Sequence, residues 1–276
     1  MNEKSNGNQS SKATGVVDVE RLFRAAEDEG ALSAAGVAAL HVIDLGAQIQ
    51  AGLGVDVDDV QSSEVVLVTV MPDDSGSIRF MGNADAVRGG HNVVIETLVK
   101  SAQRDSILAH NRYLNGAVLY PYCPVTQAAK MTSSNYDPSL GTPLYDQAVV
   151  LLGTVIAKTQ EFSGSGVPAR SVTLIITDGA DEGSRWAKAK DVRALVTDMH
   201  ASEAHIVAAM GIDDARTPFR EVFREMGIED RWILTPGSDP GEIRRAFALF
   251  SQSAMRASAS QGRATFSRAA AGGFGA

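Results

Sequence analysis

Apolar positions in this chain fall into short continuous runs separated by longer stretches with helical spacing. Val65 to Met71 reads V-V-L-V-T-V-M, Val172 to Thr177 reads V-T-L-I-I-T, and Ile206 to Met210 reads I-V-A-A-M. Runs this short, rich in β-branched residues, predict strands buried on both faces, as in a parallel sheet. Between them the period changes. Val87, Val94, Leu98 and Val99 predict a helix over 84–102, and Leu144, Ala148, Leu151, Leu152 and Val155 predict another, opened by Pro143 and capped by Thr142. A further helix is predicted over 184–201, and Phe219, Val222, Phe223 and Met226 form the inner face of one that follows Thr217-Pro218.

Two candidate strands, 106–114 and 117–122, flank Asn115-Gly116, a dipeptide that predicts a type I′ hairpin and an antiparallel pair. A short strand is predicted over 231–234. Asp239, Pro240 and Glu242 then supply an N-cap, a first-position proline and a capping-box acid for a final helix carrying Ile243, Phe247 and Phe250. From 64 to 258 strands and helices alternate. That order predicts an α/β fold: a three-layer, doubly wound, Rossmann-like arrangement with a mostly parallel six-stranded sheet and one antiparallel edge strand.

Upstream, residues 1–16 are polar and predict disorder. Val19, Leu22, Phe23 and Ala26 share one face of a helix starting at Asp18 and stopping at Gly30. Ser33 is placed to cap a second helix, 34–50, whose apolar residues Val37, Leu40, Val42, Ile43, Leu45 and Ile49 spread over several faces. Such a helix is expected to be buried, against the main domain or, as the lesser alternative, a partner chain. Asp56, Asp58 and Asp59 make an acidic linker. An EF-hand loop needs glycine at its sixth position, where Gln61 stands. The expected division is therefore 17–63 as helical extension and linker, 64–258 as the main domain, and 259–276 as a flexible Ser/Ala/Gly tail.

A formal net charge of -8 without any cluster of Lys and Arg argues against nucleic acid as the partner and suits a cation or a protein. Cys123 is the only cysteine, so an internal disulfide and a cysteine zinc cluster are both excluded. The N-terminus lacks the apolar core of a signal peptide, and no apolar run approaches the length of a membrane span. A cytoplasmic location is the expectation.

The chemistry gathers after Met71, where P-D-D-S-G-S follows at once. Ligands in open α/β sheets bind outside the carboxyl ends of the strands, which places Asp73, Ser75 and Ser77 at that edge. Thr142 and Asp178 lie on loops at or near the same edge. Two carboxylates and three hydroxyls, with no cysteine and no clustered histidine, favour a hard cation: Mg²⁺ first, with Mn²⁺ or Ca²⁺ as alternates.

These motifs resemble a von Willebrand factor A (vWA) domain with a metal-ion-dependent adhesion site (MIDAS), of the intracellular bacterial type. The family's Asp-x-Ser-x-Ser is matched by Asp73-Asp74-Ser75-Gly76-Ser77, its helix-opening threonine by Gly141-Thr142-Pro143-Leu144, and its Asp-Gly by Asp178-Gly179. Each motif alone is common. All three in order, each after the required element, are specific, and the resemblance covers roughly residues 64 to 255. It implies that Ser75 and Ser77 bind the cation through their hydroxyls, that Thr142 joins directly in the ligand-bound form, and that Asp73 and Asp178 act mostly through water. It implies an open position filled by a Glu or Asp of a partner protein, and hence an adaptor or co-chaperone of an AAA+ ATPase or a stress-operon complex. Two departures stand out. Asp74 is an extra acid that either faces solvent or strengthens the cation site, and Pro72 stands where the family has a more permissive apolar residue.

Simpler and rival readings are few. Without metal, Asp73, Ser75 and Ser77 are a helix cap and turn, which leaves Thr142 and Asp178 as coincidences. Cys123 and the scattered His41, His91, His110, His200 and His205 are expected to be packed or at the surface. Gly89-Gly90 is expected to break a helix, and no nucleotide-binding glycine pattern is present. The chain is not expected to be an enzyme. A Mg²⁺-dependent phosphoester hydrolase is the alternative, with Arg79 its nearest basic group, and a self-assembling structural subunit built on the 34–50 helix is a further one.

Overall fold

The computed structural model of the chain describes residues 17–41, 45–259 and 272–274. Six strands, β1 (Val65–Met71), β2 (Ile107–Arg112), β3 (Val118–Pro124), β4 (Ala169–Thr177), β5 (His205–Gly211) and β6 (Ile233–Leu234), form one sheet in the order β3-β2-β1-β4-β5-β6. Every neighbouring pair is parallel except β2–β3, so β3 is an antiparallel edge strand. β1, β4 and β5 are buried almost throughout, as their unbroken apolar runs require of interior parallel strands.

The helices in chain order are α1 (Val19–Asp28), α2 (Ala34–Leu40), α3 (Leu45–Leu53), α4 (Gly76–Phe80) and α5 (Ala84–Val99). They continue with α6 (Leu144–Gly164), α7 (Ala189–Ala201), α8 (Phe219–Glu225) and α9 (Pro240–Ala259). α5 and α9 pack together as one outer layer, while α6 and α7 form the other, with α1–α3 laid against them. No described helix is long and apolar enough to cross a membrane.

This order puts the topological switch between β1 and β4, because the chain leaves β1 for β2 on one side and later returns to β4 on the other. Met71 is in register with Ile175, so the residues that follow the two strands, Asp73 and Asp178, emerge side by side. The fold thereby sets the crevice where ligands bind in doubly wound sheets.

Several local expectations differ from the structure. The 34–50 segment is two helices, because His41 leaves helical geometry (φ -83°, ψ 68°) and closes α2. Val42 and Ile43, counted in that pattern, lie outside the described residues, as do residues 1–16. The burial expectation for this segment is met inside the chain. Ser33 caps α2 and also donates to Asp198 of α7 at 2.9 Å, and the Arg112 guanidinium and Lys158 ammonium donate to the carbonyls of Gln48 and Val55. Residues of α1–α3 belong to the same hydrophobic core as the sheet. Gly89-Gly90 does not break α5. Gly90 is where α9 comes closest, since a Cβ there would lie 2.0 Å from a ring carbon of Phe247.

The 115–116 hairpin exists but not as type I′. Only Gly116 has positive φ (93°); Gly116 N–H bonds Tyr113 C=O at 2.8 Å and Tyr113 N–H bonds Ala117 C=O at 2.8 Å. That is a three-residue loop, a type I turn closed by a glycine bulge. Thr142 does not cap α6; Pro143 occupies that place, without a side-chain cap. Residues 184–188 precede α7 instead of belonging to it. Glu242 does not close a capping box: Asp239 accepts from Gly241 and Glu242 N–H, while Glu242 reaches Gly237 N–H at 2.8 Å. Finally, Gly273 and Phe274, placed in the flexible tail, are docked. Phe274 N–H donates to Arg231 C=O at 3.0 Å and its ring meets Trp232 edge-on at 5.4 Å.

Candidate metal centre

Asp73 is fully buried two residues beyond β1 and organises the site through both carboxylate oxygens. Oδ1 accepts Ser75 N–H at 2.7 Å; Oδ2 lies 2.8 Å from Thr177 Oγ1 and accepts Asp178 N–H at 3.3 Å. Its backbone carbonyl accepts the Tyr136 hydroxyl. Ser75 occupies the N-cap position of α4, yet its side chain makes no capping bond. Instead Ser75 Oγ lies 2.9 Å from Ser77 Oγ, and Ser77 Oγ donates to Asp178 Oδ1 at 2.6 Å. The turn in the metal-free reading is present; the cap is not. Asp73, Ser75, Ser77 and Asp178 are thus joined in one hydrogen-bonded group.

Two backbone bridges bring in the third loop. Ser75 pairs with Leu140 and Thr142 pairs with Glu182, tying the 140–142 segment to the loops after β1 and β4. Thr142 is buried, and its backbone N–H and C=O both bond Glu182, at 3.2 and 2.8 Å. Asp146, in the first turn of α6, accepts N–H groups from Arg185, Trp186 and Ala187, which shapes the loop beyond Asp178.

Burial dominates the electrostatics. It raises the Asp73 carboxyl above its ordinary value despite the donors around it. Burial likewise pushes Asp178 up to about 6, with the negative charges of Asp73 and Asp214 adding to the effect and the Ser77 hydrogen bond opposing it. Asp178 Oδ2 is buried without a partner. Two carboxylates held together in a buried pocket, with one oxygen unsatisfied, gain most from a cation.

Asp74 is neither solvent-facing nor part of this group. It is buried, its Oδ1 accepts both the backbone N–H (3.0 Å) and the Nδ2 (2.7 Å) of Asn115, and burial raises its carboxyl. Asn115 Nδ2 also reaches Gly141 C=O at 2.7 Å. Tyr136, Asn115, Asp146 and Thr177 are supporting residues that motif spacing does not reveal. Only Thr177, next to Asp178, carries a signal by adjacency.

The donor set fits a hard divalent cation. It consists of oxygens alone: the Ser75, Ser77 and Thr142 hydroxyls and the Asp73 and Asp178 carboxylates. Among the described residues no three His, Cys, Asp or Glu side chains converge as a metal-binding group. Cys123 is half-buried with its thiol pushed up to about 11 by burial, and His91, His110 and His205 are buried elsewhere.

No protein-family model matches the chain. None of the curated proteins matches it either. Solved structures do. The pilus adhesin SpaC from Lactobacillus rhamnosus GG matches with a TM-score of 0.52 at 13% identity, over 71% of this chain and 31% of that one. The vWF domain of the pilus tip protein Mfa5 from Porphyromonas gingivalis gives 0.49 at 9% identity, over 69% and 95%. Proximal thread matrix protein 1 from the mussel byssus, with a zinc-occupied MIDAS motif, gives 0.49 at 12% identity, over 70% and 46%. This chain spans about a third of the adhesin's length. Strand order, the antiparallel edge strand and the loops gathered at the switch point give this chain the Rossmann-like fold that the von Willebrand factor A resemblance implied, and the adhesin shares it.

Proposed function

We propose that this protein is a divalent-cation-dependent protein-interaction module. Ser75, Ser77 and Thr142 would hold the cation through their hydroxyls, with Asp73 and Asp178 balancing its charge. When bound, the cation supplies an electrophilic position for a carboxylate from a partner. The observation that carries this reading is the buried, unpartnered Oδ2 of Asp178 beside the Ser75–Ser77 hydroxyl pair at the switch point.

The chain's own groups do the positioning. Asp73 fixes the loop by accepting Ser75 and Asp178 N–H, and Asp146 holds residues 185–187 by accepting their three backbone N–H groups. Mg²⁺ is the cation we assign, with Mn²⁺ or Ca²⁺ as substitutes, on the hardness of an all-oxygen donor set. A binding role is favoured over hydrolysis because Arg79, two residues beyond Ser77, is paired with Asp137 and so is not a free phosphate clamp. An AAA+ ATPase or a stress-operon protein as partner, an adaptor or co-chaperone role and a cytoplasmic setting rest on the family resemblance alone. Self-assembly through α2 and α3 is the less favoured reading, since Leu40, Leu45, Ile49 and Leu53 of those helices lie in the core of their own chain.

The test is calorimetric titration of Mn²⁺ and Mg²⁺ into wild type, Ser75→Ala and Asp178→Ala, with affinity capture in Mg²⁺ and elution by EDTA. Cation binding by wild type and its loss in both variants are expected. Partner capture indifferent to EDTA and to either substitution would refute the reading.

A further inference from the structure

Among the described residues, large apolar side chains are exposed at Phe80, Met81, Val93 and Leu140. Three of these four frame the donor cluster. Phe80 is 88% exposed, Leu140 56% and Met81 50%. Leaving such side chains in water forgoes the gain of burying them, so a contiguous group marks an interaction surface.

The three are contiguous through the backbone of the site. Phe80 ends α4, the short helix that begins just after Ser75, and Met81 follows it. Gly76 N–H bonds Leu140 C=O at 3.0 Å, and a Phe80 ring carbon lies 3.5 Å from where a Cβ on Gly76 would stand. The ring therefore folds back over the segment that Leu140 bridges. The Arg79–Asp137 ion pair links α4 to the loop leading to Leu140. An apolar ledge of Phe80 and Leu140, with Met81 next in the chain, results beside Ser75 and Ser77.

The opposite side of the cluster is different. The loops after β4 and β5 carry Asp178, Asp181, Glu182, Asp213 and Asp214 against Arg185, Lys188 and Arg216, an acidic excess. That excess opposes an acidic tract, a nucleic-acid backbone or an anionic membrane surface. It leaves room for one carboxylate, drawn in by the cation.

Resting on the metal reading above, we propose that the partner is a protein segment presenting a single Asp or Glu immediately beside a large apolar side chain. The acid goes to the cation, and its apolar neighbour covers Phe80, Met81 and Leu140. Metal supplies the charge contact and the ledge supplies selectivity, because an acid without the apolar neighbour leaves the ledge wet.

Two capped pentapeptides test this, one with glutamate between two leucines and its twin with glutamate between two serines. Each is titrated into the full chain in saturating Mg²⁺, while Mn²⁺ alone is titrated in parallel. Wild type is expected to bind the leucine peptide at least about tenfold more tightly than the serine peptide. The double variant Phe80→Ser, Leu140→Ser should lose that preference and keep its Mn²⁺ affinity, which also reports that the site is folded. Equal affinity of wild type for both peptides, binding of neither, or a preference that survives in the double variant overturns the proposal while leaving the metal reading intact. Failure of wild type to bind Mn²⁺ removes the metal reading, and this one with it.

Discussion

Asp74 and Asn115 hold the metal loop and the β2–β3 hairpin together: Asp74 Oδ1 accepts the Asn115 backbone N–H at 3.0 Å and its Nδ2 at 2.7 Å. Asn115→Ala should remove the side-chain half of this contact to a buried carboxylate. A hydrogen bond to a charged group contributes about 1.5–3 kcal/mol, so a loss of that order is expected in urea unfolding, with an unchanged slope. Asn115→Asp should cost more, since it sets a second acid against Asp74. A variant as stable as wild type would mean that the hairpin does not support the loop.

The paired carboxylates give the second prediction. Burial and mutual repulsion disfavour ionised Asp178, so Asp178→Asn should raise the stability of the metal-free chain and abolish the gain that cation brings. For wild type, Mg²⁺ at about a hundred times its dissociation constant should add about 2.7 kcal/mol, or roughly 5–10 °C in thermal midpoint. Thermal unfolding in EDTA and in Mg²⁺ for both proteins checks the opposite signs.

What the sequence disclosed, and what it hid, follows from where the determining contacts lie. β1 and the Asp73–Ser77 loop were legible because a strand buried on both faces needs an unbroken apolar run, and an oxygen cluster after it has few other reasons to exist. The Asn115 turn type was not, because Asn115 is committed to Asp74 and Gly141, contacts 41 and 26 residues away in sequence. Thr142 lies beside the loop after β4 as its position suggested, but not as the cap of α6: its backbone pairs with Glu182. Tyr136 had no signal at all, since its hydroxyl reaches a backbone carbonyl 63 residues away. Gly89-Gly90 misled for the same reason, the cause of Gly90 being Phe247 on a distant helix.

Buried histidines set the third prediction. His91 is packed with Nε2 2.9 Å from the Tyr120 hydroxyl, and burial lowers it from 6.5 to about 4. Above pH 6.5 both folded and unfolded forms are neutral. As pH falls through 6.5 the unfolded chain takes up a proton that the folded chain refuses, and stability drops by about 1.4 kcal/mol per pH unit until the folded form titrates near pH 4. The raised carboxylates Asp73, Asp74 and Asp178 act in the opposite sense, so the comparison must be differential. His91→Gln should flatten the fall in urea midpoint between pH 6.5 and 4 relative to wild type. An identical pH profile in the variant would place the proton uptake elsewhere.

The docked C-terminal residues give the fourth. Phe274 meets Trp232 at 85° between ring planes, its N–H bonds Arg231 C=O, and Arg256 of α9 donates to Gly273 C=O at 3.3 Å. An edge-to-face aromatic pair contributes about 0.5–1.5 kcal/mol beyond its buried area, so Phe274→Ala should lower stability by at least that amount. Gly273→Val should do the same without touching the ring, because a Cβ there would stand 2.8 Å from Arg231 Cβ and 2.9 Å from its carbonyl oxygen. If the tail docks as one unit, the double variant should be no less stable than the worse single one, whereas independent contacts would add. Urea midpoints of the two single variants and the double variant separate these cases, and a Phe274→Ala midpoint equal to wild type would show that the segment contributes no binding energy to the fold.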